Sequence, residues 1–427
     1  MPAIIAAVLF LSLSALAQGP RLWVLGAPGE MVEYDAATFA MKQTVKVPAE
    51  ALQSPQSIQV NRLGQILFAP GLSLPLADSD LASPHKVWLW DGHEATMLDP
   101  GIKHEVGRTG SNQLISETAP EVFLSADGAH LYWFANDERR LQREDVDLSV
   151  TTTWQAWRTD LRGGGRENIA EVKFAECSCP TGACEESCPV GVAWAPANGI
   201  GDFFLMTEFV AAKDQPTYKA TTGYRRQGGK WQATALTEPV QRVLDADVNG
   251  DTIIEAIPDT GCCGWANQSD DQTWILTNAS KMKVFDELAA YKNPDYDVSF
   301  YSSTAKLSPD AKAVAMTIVA TAQVNQPIQL AQQGQANPEE SKQIRRALAE
   351  LPAVEVDAVE VKSPEVKSAE DSARKLAVAP HATLVGWISE KELLLVEDHV
   401  LELYNVGTGA KRNSKVRVEG ADSVFLR

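Results

Sequence analysis

The stretch that decides the fold is EVFLSADGAHLYWFA, residues 121–135. Two apolar runs, 122–124 and 131–134, flank a Ser-Ala-Asp-Gly turn at 125–128. Runs this short carry no helical period, and Asp127-Gly128 tolerates the positive φ of a tight turn. The stretch therefore reads as an antiparallel hairpin. The pattern returns as AKLSPDAKAVAMTIV, residues 305–319, around Pro309-Asp310. Weaker copies are SIQVNRLGQILFAP at Gly64, GVAWAPANGIGDFFLMT at Asn198-Gly199, RVLDADVNGDTIIEAI at Asn249-Gly250 and LVGWISEKELLLVED at Glu390.

Hairpins recurring roughly every 55 to 80 residues form an irregular long-period repeat, the mark of an array of small sheets. Most are followed by two more strand-like runs: KVWLWDG and EATMLD after Gly64, QTWILTN and KMKVFDEL after Asn249, HVLELYNV and SKVRVEG after Glu390. Four strands per unit make a propeller blade. The chain opens with three strands, RLWVLG, EMVEYDA and MKQTVKVP, that lack an innermost partner, and closes with one orphan, ADSVFLR. With Val424–Leu426 as that partner, the expected fold is all-β, a single β-propeller over residues 18–427. It has seven four-stranded blades, with six or eight left open, and its closure removes the edges that template aggregation.

The hairpins LSPDAKAVAM and LSADGAHLYW resemble those of TolB-like propellers, relatives of the WD-repeat fold. EMVEYDAATFAMKQTVKVP resembles the outer strands of bacterial surface propeller repeats. The resemblance spans most of the chain and implies a fold, not an activity. Residues 322–380 depart from it: they are polar, repetitive and poor in aromatics, and read as a partly disordered insertion within the sixth blade. Inside it, Asn337 and Pro338 start an expected helix that stops at Pro352. The alternative is a docking arm for a partner.

The chain carries 56 acidic against 38 basic side chains, a net charge of −18, which argues against nucleic acid and anionic membrane as partners. Residues 3–17 are uncharged and end in Ala15-Leu16-Ala17. The run is too short for a stable bilayer span, so residues 1–17 read as a secretory signal peptide, with a buried N-terminal helix as the alternative. No later segment is long and apolar enough to span. A soluble periplasmic or secreted protein is expected, in a compartment where thiols oxidise.

That compartment bears on AECSCPTGACEESCPVG, which holds Cys177, Cys179, Cys184 and Cys188, and on DTGCCGWAN, which holds Cys262 and Cys263. Blade topology puts the first cluster in a connection between blades and the second in a connection between the second and third strands of a blade. Both lie on one face. Disulfides are expected, with the pairing open and a vicinal Cys262–Cys263 bridge among the choices. Zinc or an iron–sulfur cluster on Cys-x-Cys-x4-Cys-x3-Cys is the alternative, on a spacing that is not standard and in a compartment that disfavours it. DTGCCGWAN is also similar to the vicinal cysteines of quinoprotein alcohol dehydrogenases.

Asp247, Asn249, Asp251 and Glu255 stand at alternating positions of one loop with the Ile253 carbonyl among them. Calcium takes oxygen ligands in such a spacing. The loop resembles the calcium hairpin of FG-GAP propeller repeats, with Thr252 where that hairpin has glycine, and the resemblance implies a structural Ca2+. The other reading is an Asn-Gly hairpin with solvated acids. Gly-x-Ser-x-Gly and His-Glu-x-x-His are absent, and the six histidines are scattered. Trp194 and Trp265 lie beside the cysteine-bearing face.

The functional expectation is a non-enzymatic, monomeric binding or scaffold module of the cell envelope. It takes a protein or small-molecule ligand on the cysteine-bearing face. The rival is a calcium-dependent propeller enzyme, lactonase-like or quinoprotein-like.

Overall fold

The structure is a computed structural model describing residues 20–26, 29–49, 58–69, 82–84, 87–98, 103–109, 113–143, 146–173, 177–179, 188–196, 200–211, 216–257, 272–277, 281–285, 297–323, 354–361 and 373–427. The strands fall into seven sheets, six of four strands and one of seven. Each is an antiparallel meander built on chain order, except that the first borrows its fourth strand from the C-terminus and the third takes in Ala82–Pro84, from between strands of the second, and Cys177–Cys179, which pairs with Val146–Asp160. This is an all-β propeller fold. Its one helical element among the described residues is the three-residue turn Ala421–Ser423.

Six four-stranded sheets are one fewer than the seven blades expected, and within the range left open. The third sheet outgrows a blade. Its strands Gln113–Leu124, His130–Arg143 and Val146–Asp160 run to 12, 14 and 15 residues. Their extra length leaves backbone donors and acceptors that recruit Lys103–Thr109, itself paired with Ala82–Pro84, on one side and Cys177–Cys179 on the other.

The reason short apolar runs suffice is visible in the second strands of the sheets. Side chains alternate faces along a strand, and here both faces meet another sheet. In the second sheet, Ile66 and Phe68 pack with Trp23, Met31 and Trp90, while Leu67 packs with Val122, Leu124 and Trp133. In the third, Leu131 and Trp133 join that second cluster, and Phe134 turns the other way onto Phe204, ring centres 5.1 Å apart. Outermost strands such as Ala95–Leu98 and Lys230–Ala235 are mostly exposed.

The chain divides into two compact units, Met1–Phe204 with Arg226–Trp231 and Asp422–Arg427, and Leu205–Arg225 with Gln232–Ala421. In the first unit, Leu22, Trp23 and Val24 pair with Leu426, Phe425 and Val424, the closure the orphan strand implies. Arg427 adds a hydrogen bond from Nε to the Val60 carbonyl of the second sheet, at 2.8 Å. In the second unit, the Leu384 N–H donates to Thr317 Oγ1 at 2.9 Å, and Trp387 Nε1 to the Lys306 carbonyl at 2.9 Å. These bonds tie the seventh sheet to the sixth.

Residues 322–380 need correction. Val354–Val361 and Ala373–Pro380 are strands that complete the sixth sheet. VEVDAVEV alternates apolar and acidic residues, and its inward Val356 and Ala358 are buried. A strand with one wet face reads as low complexity when composition alone is weighed. The expected helix at 337–352 lies outside the described residues.

The Ser-x-Asp turns are closed by one repeated hydrogen-bond set. Ser125 Oγ donates to Asp127 and accepts from the N–H groups of Ala129 and His130; Ser308 does the same with Asp310, Lys312 and Ala313. Gly128 sits at φ +65, and the Gln65 side chain from the second sheet lies where a Cβ would stand. Gly128→Ala is expected to cost about 1–2 kcal/mol for the left-handed backbone, beyond any side-chain clash. Urea denaturation checks this. With Gln65→Ala in the background the clash is relieved and the backbone cost remains; an alanine variant as stable as the parent would contradict the account.

Candidate functional site

Within several of the sheets, taken singly, one end is built up. Turns between first and second strands are tight: residues 61–65, 125–129, 247–251 and 308–312. The strands instead lengthen toward the connection between second and third strands. In the third sheet this extension is the far part of His130–Arg143 and Val146–Asp160, up to the pairing of Arg143 with Val146, and in the sixth it is Asp297–Leu307 with Ala313–Gln323, 11 residues each. In the fourth sheet Pro216–Gln227, of 12 residues, starts at the same end.

The cysteines fall at or near these extensions as far as they are described. Cys177–Cys179 form a short strand paired with Leu148–Val150 of the lengthened third sheet, so this part of the expected loop is sheet edge. Cys188 opens the first strand of the fourth sheet. Cys184, Cys262, Cys263 and Trp265 lie outside the described residues. Trp194 is half-buried, its ring 6.3 Å from Phe203.

The five expected calcium donors are all described, and they do not converge. Asp247 is a turn-closing group: its Oδ1 accepts from the N–H of Asn249 at 3.2 Å and of Asp251 at 2.8 Å. Asp251 Oδ1 is 2.6 Å from Arg225 Nη1, and Arg225 Nη2 donates to the Gly250 carbonyl at 2.7 Å. Ile253 and Glu255 have passed into a strand, Thr252–Ile257, where both are buried. Guanidinium thus stands where a metal would serve, and the donor set does not fit calcium. Among the described residues no three His, Cys, Asp or Glu side chains are grouped to hold a metal.

Glu255 belongs instead to an ion cluster in the second unit, in which it alone is buried. Its side chain is fully buried; Oε1 is 2.8 Å from Lys281 Nζ, and Oε2 accepts from the Gln241 N–H at 3.2 Å. Lys281 also reaches Glu238 at 3.3 Å and lies 5.3 Å from the Trp274 ring centre. Burial works against the ammonium, but the Glu255 and Glu238 carboxylates outweigh it and raise the Lys281 pKa above 10.5. The arrangement ties the fourth strand of the fifth sheet to the segment entering its first. Nothing in the spacing of the sequence marks it, because Glu238, Glu255 and Lys281 come from three separate segments.

No protein-family model matches the chain, and no curated protein matches it in sequence. Solved structures resemble it distantly. Apo AztD from Citrobacter koseri is 12% identical over 94% of this chain and 82% of that one, with a TM-score of 0.36. An ulvan lyase of polysaccharide lyase family PL25 is 10% identical over 92% and 91%, TM-score 0.42. Dipeptidyl peptidase 4 from Porphyromonas gingivalis is 9% identical over 93% and 59%, TM-score 0.38. At these scores the likenesses bear on no residue's role, and the fold rests on the strand order itself.

Two outcomes are expected here. Lys281→Met leaves the Glu255 carboxylate buried without its cation and is expected to cost about 3 kcal/mol. Because the Lys281 pKa is raised on folding, its stabilisation is full below 10.5 and lost as pH rises through the folded value. Urea titrations should show the gap between parent and variant closing at alkaline pH; a gap independent of pH would sink the assignment. Second, the melting temperature should be the same in EDTA and in millimolar calcium. A rise of several degrees in calcium would restore the Asp247–Glu255 loop as a metal site.

Proposed function

We propose that this chain is a binding module of the cell envelope, exported after cleavage near Ala17, that takes its partner at the built-up end of the sheets. The observation that carries the reading is the one-sided lengthening of strands in the third, fourth and sixth sheets, against tight turns at the other end. A scaffold can spare its short turns; loops that bind grow where a rigid sheet holds them. Counting Gln113–Leu124, His130–Arg143, Val146–Asp160 and Glu167–Lys173 as a blade, the fold is a seven-bladed, TolB-like propeller closed by Val424–Leu426. Cys177, Cys179, Cys184, Cys188, Cys262 and Cys263 are read as disulfide-bonded staples of the loops at that end. The acidic balance supports a protein or small-molecule ligand and disfavours nucleic acid.

A photo-crosslinking amino acid placed by position tests the face. At Gln215 and Gln268, in connections between second and third strands, it is expected to capture a partner in the intact source cell envelope. At Leu63 and Val248, exposed in the tight turns at the opposite end, it is expected to capture none. Capture only from the turn positions would overturn the reading. Protein isolated from the same envelope should begin after Ala17 and titrate no free thiol.

A further inference from the structure

A second site lies at the tight-turn end of the first unit, where the third sheet meets Phe204. Its centre is Tyr132, 1% exposed, whose ring meets Trp231 edge-on at 5.9 Å; Trp231 in turn lies 5.3 Å from Phe204. Arg158 stands directly opposite Tyr132 in the strand register. Arg226, at the end of Pro216–Gln227, acts on the same tyrosine through its charge, while its neighbour Arg225 is bonded to Asp251. Burial pushes the Tyr132 pKa up to about 12, against the pull of Arg226 and Arg158 on its hydroxyl.

The charges and donors here do not balance. Arg158 is paired with Glu167, Nη2 to Oε2 at 2.7 Å. Asp127, which also acts on Tyr132, is engaged by its own turn through Ser125 Oγ and the Ala129 N–H. Among the described residues Arg226 has no side-chain hydrogen bond or ion pair. Arg158 Nε, Arg226 Nε and Trp231 Nε1 are all shut off from solvent with no acceptor. All three are N–H donors, and all three surround one tyrosine. A buried donor without an acceptor is costly, and two guanidinium groups in one place repel. Composition does not explain the gap: the chain has 56 acidic side chains, and none of the described ones sits on Arg226.

We infer that this cluster is a binding site for a small oxyanion, which accepts from Trp231 Nε1 and from the Arg226 and Arg158 guanidinium groups. The anion supplies the missing negative charge and acceptor atoms together. It enters from solvent past Arg158, whose side chain is 22% exposed, and past the half-buried Arg226. Delocalised oxygens on carboxylate, sulfate or phosphate suit the fork of guanidinium N–H groups. The site is at the end of the sheets away from the proposed partner face, so each reading stands or fails alone.

The test titrates the full chain with sodium sulfate, sodium phosphate and sodium acetate against sodium chloride at constant ionic strength, following melting temperature and binding heat. A saturable rise with at least one oxyanion, absent with chloride, is expected. Response to sulfate and phosphate alone marks a tetrahedral ion as the ligand class; response to acetate marks a carboxylate. Arg226→Gln is expected to weaken binding at least tenfold. Trp231→Phe keeps the ring packing and removes only the N–H, and is expected to weaken it severalfold. If Arg226→Gln does not fold, the parent titration and Trp231→Phe decide. Equal response to all salts, or affinity unchanged in a folded variant, overturns the site.

Discussion

The pairing of Leu22, Trp23 and Val24 with Leu426, Phe425 and Val424 is the contact on which the first sheet depends. Without it the strand Arg21–Gly26 is an open edge, with unpaired N–H and C=O groups beside an apolar run. With it, Trp23 is fully buried, stacks edge-on against Trp90 of the second sheet at 5.3 Å, and anchors the cluster that holds Ile66 and Phe68. Those residues lie on a strand whose opposite side chain, Leu67, starts the cluster shared with the third sheet. Burial on both faces is thus handed from sheet to sheet. No sheet of this kind is stable alone, because its second strand has no solvent-compatible side.

A second device recurs on this frame. The polar side chain of one sheet rests on the turn glycine of the next: Arg21 on Gly64, Gln65 on Gly128 and Arg225 at Gly250. Each glycine has positive φ and no Cβ, so the approach is close and the turn is held from outside. Arg225 shows how such a support takes over a site. Once its guanidinium bonds both Asp251 and the Gly250 carbonyl, the oxygens that a cation would collect are already used.

This explains what the sequence made legible. The hairpins could be read because a strand buried on both faces is apolar without interruption, as in Leu131–Phe134, and because Asn-Gly and Asp-Gly mark the turns. The orphan ends could be read because ADSVFLR has no partner nearby in the chain. Partners far apart in the chain were not visible. Spacing shows that Asp247, Asp251 and Glu255 alternate, but not that Arg225 and Lys281 arrive from other strands to neutralise two of them. Composition likewise hid the strands Val354–Val361 and Ala373–Pro380, since the first alternates apolar and acidic residues and the second opens on Arg374 and Lys375. The orphaned donors around Tyr132 had no linear signal at all: Arg158, Arg226 and Trp231 are ordinary until register and packing bring them together.

The C-terminal strand also sets an order of events. Val424–Leu426 complete a sheet whose other strands are made far earlier, so a chain emerging from the ribosome carries Trp23 uncovered until they arrive. The two pairing partners lie far apart in the sequence, which makes this contact a slow one to form. A truncated product is therefore not a smaller propeller but an unclosed one, with an apolar strand edge at its beginning. Quality control has a simple cue in that edge, since only a chain that carries Val424–Leu426 can hide it.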